Sequence, residues 1–311
     1  MRPVWILLAA WLVGIPVAAR AACVPDHPIH VPLQETPVGP VVAVSVNGQP
    51  ARFLLDTGAS RSEVTAAAMR RLHLPRDPWS STTIRGVGGA QRQPDADLSR
   101  LELAGVSLHR HRLDQALVLA VGASPVLTRF GIDGLLGVDI LAGFNLTLDL
   151  HAGTLSLLPA TACDSAIPRW AHGREPVPGI HPQWQWLLVP TRIDHTILLG
   201  LIDTGSAGSV ITAAGMRRLS GAATAAPGDR RSQLTGQGAG EVTIWLHRYA
   251  AWSVGKESVS PAQIWTGPVA ISPLVQMIIG RDWLRRHRVW ISYATSRIAF
   301  TAAATASSGV R

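Results

Sequence analysis

The sequence predicts a mainly β chain with short helices, organised as two like lobes related by pseudo-twofold symmetry. Three observations carry that expectation. Of 311 residues, 29 are Gly and 22 are Pro, a loop-rich balance that suits strands and turns and argues against a helical bundle or coiled coil. Hydrophobic residues make up 47% and charged residues only 15%, which excludes a disordered chain and supplies cores for about two domains. The third observation is an internal repeat. Thr65-Ala66-Ala67-Ala68-Met69-Arg70-Arg71-Leu72 is answered by Thr212-Ala213-Ala214-Gly215-Met216-Arg217-Arg218-Leu219, an offset of 147 with one difference. A period this long marks a duplicated lobe, not a solenoid.

The elements follow in chain order. Residues 1–21 read as an export signal: Arg2 gives a positive start, Val4 to Val13 is unbroken apolar sequence, and Ala19-Arg20-Ala21 offers a cleavage site before Ala22. The competing reading is an uncleaved anchor, but the stretch from Val4 to Ala19 contains Gly14 and Pro16 and falls short of the about 20 residues that span a bilayer. A lipid anchor on Cys23 is disfavoured by Arg20 at the position where an aliphatic residue belongs. The chain is therefore expected to be exported, periplasmic or secreted, with no stable membrane span after processing. The expected divisions are a first lobe at 22–161, a connection at 162–182, a second lobe at 183–302 and a tail at 303–311.

An oxidising compartment favours a disulfide between the two cysteines, Cys23 and Cys163. No His-x-x-x-His or Cys-x-x-Cys spacing occurs, so neither a metal nor another cofactor is expected. The formal charge of +8 comes from scattered arginines without an aromatic-interleaved stripe, so nucleic acid is not an expected partner.

Within the first lobe, Val41 to Val46 is β-branched and apolar, Asn47-Gly48 is a strong hairpin signal, and Ala51 to Leu55 returns as a strand. That strand delivers Asp56 to a turn. Thr65 to Leu72 reads as a short helix with arginines near its C-terminal end, stopped by Pro75. Glycine clusters at Gly86, Gly88 and Gly89, and at Gly236 and Gly238, lie between strand-like runs as hairpin tips. Asp139 and Asp282 are placed to cap one-turn helices, and Leu146 to Leu150 and Val289 to Tyr293 read as closing strands.

The chemistry sits on the repeated turns. Asp56-Thr57-Gly58-Ala59 and Asp203-Thr204-Gly205-Ser206 occupy equivalent positions of the two lobes, so a pseudo-twofold axis would bring Asp56 and Asp203 face to face. Two carboxyls within hydrogen-bond reach cannot both ionise readily and share one proton. One then takes a proton from water while the other, protonated, polarises a peptide carbonyl. Thr57 and Thr204 are expected to tie the turns together through their hydroxyls, and Gly58 and Gly205 to permit close approach. The Ser206 hydroxyl, matched by Ala59 in the first lobe, is expected to donate to Asp203 and keep the charge there.

These motifs resemble those of retropepsin-like and pepsin-like aspartic peptidases, whose paired aspartates are the standard case of such proton sharing. Leu135-Leu136-Gly137 and Ile278-Ile279-Gly280 resemble the family's motif that braces each aspartate loop, and follow the aspartates by 81 and 77 residues. The resemblance runs from about Val38 to Phe300, and the compact lobes look like two retropepsin-like units fused in one chain. It implies the bilobal aspartic-protease fold, an endopeptidase acting through Asp56 and Asp203, a polypeptide substrate, and a monomer, since one chain supplies both lobes. Three departures stand out. Neither glycine-rich tip carries the pepsin flap tyrosine. Arg281 faces Ala207 and Val138 replaces the arginine in the first lobe, so the usual bracing ion pair is expected to be absent. No propeptide is evident before the first strand.

The alternative function is a non-catalytic envelope protein that keeps the cleft as a peptide-binding groove. His109-Arg110-His111-Arg112 reads as a solvated loop, the Asn145-Leu146-Thr147 sequon as chance, and most tryptophans as packing, with Trp245 or Trp265 as possible cleft residues.

Overall fold

A computed structural model describes residues 28–87, 89–108, 117–122, 125–160, 167–182, 186–220, 226, 228–236 and 240–303. The export signal at 1–21, Cys23, Cys163, Gly88, Gly238 and His109 to Arg112 lie outside the described residues.

Three sheets run through the described residues. A ten-stranded sheet belongs to the first half of the chain and a nine-stranded sheet to the second. The strand order is the same in both: flap hairpin, two inner strands, the bracing strand, the strand entering the aspartate loop, its hairpin partner and an edge hairpin. The sequence repeat is thus a repeat of topology. A third, six-stranded sheet joins the halves, where Phe144–Asp149 pairs antiparallel with His287–Ser292. These strands contain the expected closing runs, and their near-continuous burial between the halves accounts for their apolar content. The fold is all-β with short helices.

Local sequence explains the strands that matter. Gly39–Val46 and Gln49–Leu55 form a hairpin whose turn puts Asn47 at φ 49° and Gly48 at φ 81°, the left-handed pair that Asn-Gly tolerates best. In the second lobe Asp194, at φ 50°, takes the place of Asn47 between Leu188–Ile193 and Thr196–Ile202. Phe53, Leu55, Leu198 and Leu201 are buried in one continuous core, each worth about 1.5–3 kcal/mol of transfer free energy.

The repeated helix spans Ala66–Arg71 and, longer, Ala213–Ser220. Thr65 caps the first by accepting from the Ala68 N–H at 3.1 Å, and Arg70 and Arg71 lie in its last turn. The one difference between the repeated blocks has a steric cause: a Cβ on Gly215 would collide with the Gln276 carbonyl, so alanine is excluded where Ala68 fits. No helix among the described residues is long and apolar enough to cross a membrane.

Candidate active site

Each aspartate loop leaves the end of an apolar strand and is closed by a parallel neighbour. Leu135 and Leu136 pair in register with Leu54 and Leu55, and Ile278 and Ile279 with Leu201 and Ile202. The Leu136 carbonyl accepts from the Asp56 N–H, and the Ile279 carbonyl from the Asp203 N–H, both at 3.0 Å. Gly137 and Gly280 lie directly beneath the loops. A Cβ on Gly137 would stand 2.7 Å from the Arg61 backbone, and one on Gly280 would stand 2.5 Å from the Gly208 carbonyl oxygen. Only glycine permits that crossing.

The two threonines join the loops reciprocally. Thr57 N–H donates to Thr204 Oγ1 at 3.0 Å and Thr204 N–H to Thr57 Oγ1 at 3.1 Å. Their hydroxyls continue to the Ile202 carbonyl at 2.8 Å and the Leu55 carbonyl at 2.6 Å. Both threonines are buried, so every donor and acceptor in this cross-link is satisfied inside the protein, where a loss is costly. Gly58 N–H and Ala59 N–H donate to Asp56 Oδ1, and Gly205 N–H and Ser206 N–H donate to Asp203 Oδ1.

Two serines complete the brace and were missed in the sequence. Ser62 Oγ donates to Asp139 at 2.7 Å while accepting from Gly137 N–H at 2.9 Å. Ser209 Oγ does the same with Asp282 at 2.7 Å and Gly280 N–H at 3.0 Å. The N-cap residues of the short helices Val138–Leu141 and Arg281–Leu284 are Gly137 and Gly280, and Asp139 and Asp282 lie in their first turns. Asp282 Oδ1 accepts the Trp283 N–H at 2.8 Å, the helix-start role expected of it, and both aspartates also reach back to tie each helix to its loop. The available signal was that Ser62 and Ser209 stand at the same offset of 147 as the aspartates.

Asp56 and Asp203 meet across the pseudo-axis. A Cβ on Gly58 would overlap the Asp203 carboxyl, and one on Gly205 would come within 2.6 Å of Asp56 Oδ2. Burial pushes the Asp56 carboxyl well above the ordinary carboxylate range, and the charges of Asp203 and Glu63 add to that. Burial also raises Asp203, but the Ser206 and Gly205 N–H groups oppose it, followed by the Arg281 guanidinium and a hydrogen bond from Asp56. The pair is therefore unequal, with the proton favoured on Asp56.

The expected cause of that inequality is wrong. Ser206 Oγ donates to the Gly208 carbonyl at 2.8 Å within its own turn, and the Ser206 N–H serves Asp203. Arg281 meets Ala207 where the family's bracing acid would stand, and its guanidinium turns to the other end of the chain. There it donates to the Val38 carbonyl at 2.6 Å and the Pro37 carbonyl at 3.1 Å, with Glu35 at 3.9 Å.

Residues 42–140 match the family model described as aspartyl protease. Over those residues the first lobe is similar to aspartyl-protease domains. Comparison with curated proteins gives no match.

The first lobe and the second, with its matching strand order, enclose a solvent-open cleft of about 310 Å³ with Asp56 and Asp203 in its lining. Hairpin Arg76–Gly86/Gly89–Leu98 and hairpin Arg230–Thr235/Glu241–Tyr249 reach over it as flaps, and Gly86, Val87, Leu234, Thr235 and Gly236 line it. Gly89, at φ 107°, belongs to the first tip. Trp245 and Trp265 do not line this cleft. Trp265 packs beside Gly208 and the core instead. Among the described residues, Trp186 touches the aspartate loop: its indole N–H donates to the Gly58 carbonyl at 2.9 Å, a contact between segments 128 residues apart that no local pattern announces.

Proposed function

We propose that this protein is an exported aspartic endopeptidase in which Asp56 and Asp203 together activate one water. Asp203, ionised, accepts a proton from that water. Asp56, protonated, donates its hydrogen bond to the scissile carbonyl, and the water oxygen attacks the carbonyl carbon. The proton gained by Asp203 then passes to the leaving amine as the C–N bond breaks, leaving the dyad with the single proton it began with. The observation that carries this reading is the pair of half-buried carboxyls brought together across the threonine cross-link and open to the cleft on one side.

The substrate is an extended polypeptide, held by main-chain hydrogen bonds along the flaps in the manner of an added strand. A monomer suffices because one chain supplies both aspartates. Export rests on the signal-like residues 1–21 and places the enzyme in the periplasm or outside the cell.

The test is incubation of purified protein with a peptide library from pH 3 to 8, with and without a transition-state-mimic inhibitor. Cleavage should fall by about 10³-fold or more in Asp56→Asn and in Asp203→Asn, since each carboxyl lacks its acid–base partner without the other. Peptide binding without cleavage by the wild type would identify a non-catalytic groove instead.

A further inference from the structure

The two halves of the site exchange large and small side chains at two positions that the repeat pairs. Gly39 stands where the second lobe has Trp186, and Val138 stands where it has Arg281. Arg281 and Gly39 fit together: Gly39 is at φ 144°, and a Cβ on it would collide with Arg281 Nη1. Trp186 and Val138 are the matching pair, buried in the same core. By the pseudo-symmetry, the side chain of Trp186 stands where an arginine at 138 would place its guanidinium. Val138 is therefore the residue that admits the indole.

Both large side chains donate to a backbone carbonyl of an aspartate loop. Arg281 Nη1 lies 3.5 Å from the Thr204 carbonyl oxygen, and the Trp186 indole N–H donates to the Gly58 carbonyl at 2.9 Å. The peptide that accepts from Trp186 ends in the Ala59 N–H, which donates to Asp56 Oδ1 at 3.0 Å. The peptide beside Arg281 ends in the Gly205 N–H, which donates to Asp203 Oδ1 at 2.8 Å. A peptide that accepts at its oxygen donates more strongly at its N–H, because the two bonds polarise one another. The Gly58 end of the same peptide is as closely constrained: a Cβ there would stand 2.5 Å from both Asp203 carboxyl oxygens. A tilt of this one peptide alters the aim of a donor at Asp56 and the space left for Asp203 together. Trp186 itself is only 4% exposed, so packing holds the indole in place.

We propose that Trp186 is a positioning residue for the dyad, whose indole N–H fixes the Gly58–Ala59 peptide between the two carboxyls. Its purpose rests on the proposed peptidase reading, whereas the fixing of the loop is a property of the free protein. The first loop is thus held by a neutral donor reaching across from the second half of the chain, and the exchange with Val138 makes the reach possible.

The test begins with the wild type at one fixed pH, where the Trp186 indole N–H should show a through-hydrogen-bond coupling to the Gly58 carbonyl carbon and slow exchange with solvent. Trp186→Phe then keeps most of the apolar volume and removes the donor. Its Ala59 amide proton should move upfield and exchange about 2–10-fold faster, the weight of one net hydrogen bond, while the Ser206 amide in the other loop stays unmoved. On a cleaved peptide, kcat should fall by about 3–10-fold with KM within about twofold, because the dyad and not the groove is disturbed. A freely exchanging indole in the wild type, an unmoved Ala59 amide in Trp186→Phe, or a rise in KM at constant kcat overturns the proposal. Failure of the wild type to cleave any peptide counts against the peptidase reading alone and leaves the amide measurements to decide the loop.

Discussion

Val87 at the tip of the first flap lies against Gly236 at the tip of the second: a Cβ built on Gly236 would stand 2.9 Å from Val87 Cγ2. The roof of the cleft is therefore a contact between two hairpins, each contributed by a different half of the chain. A side chain at 236 must part the tips. Gly236→Val is expected to raise KM for peptides by roughly 3–10-fold with a smaller change in kcat, because closure over the substrate is weakened while the dyad is untouched. Steady-state kinetics on a cleaved peptide decide this, and an unchanged KM would show that the tips do not close on substrate.

Thr204→Ala removes a hydroxyl that serves both lobes. It leaves the Thr57 N–H and the Leu55 carbonyl without their bonds at 3.0 and 2.6 Å, both in a buried region. Destabilisation of about 2–4 kcal/mol is expected from two unsatisfied buried groups. Thr204→Ser keeps the hydroxyl and should recover most of it. Urea midpoints of the three proteins provide the measurement.

Ser62→Ala should cost about 2–4 kcal/mol on the same grounds, since it strips a donor from half-buried Asp139 and an acceptor from the Gly137 N–H. Ser209→Ala should cost less, about 1–3 kcal/mol, because Asp282 is exposed and water replaces its lost donor, leaving the Gly280 N–H as the main unsatisfied group. A near-neutral result for either would mean that its aspartate finds another donor.

Stability should depend on pH in a direction set by the dyad. A carboxyl whose native value lies above its ordinary 3.8 keeps its proton in the folded state after the unfolded chain has lost it. The folded protein then binds more protons, so stability falls as pH rises from about 3.8 through the native value. Burial raises Asp56, Asp203 and also Asp139 in this sense. Asp56→Asn keeps the acceptor for the Gly58 and Ala59 N–H groups and removes the titration. Its urea midpoint should exceed that of the wild type at pH 7 and match it near pH 3. A lower midpoint at pH 7 would contradict the raised value of Asp56.

Much of this protein is written locally. Alternating apolar residues, the Asn47-Gly48 turn and the glycines after each aspartate define a strand, a hairpin and a loop within windows of about ten residues, and repetition at 147 residues defines two of each. The mainly β class and the placing of Asp56 and Asp203 on matching turns follow from such short-range pattern alone. What only the tertiary structure decided is the choice of hydrogen-bond partner. Ser206 stood next to Asp203 in the sequence, yet bonds to Gly208, while Ser62 and Ser209 found Asp139 and Asp282 more than 70 residues away. Arg281 met Ala207 in place of an acid and crossed 243 residues of sequence to the Val38 carbonyl. A polar side chain has several rotamers of similar energy, and the partner it takes depends on which distant backbone arrives within about 3 Å. That arrival is set by the packing of the two lobes against their shared sheet, which no local pattern contains.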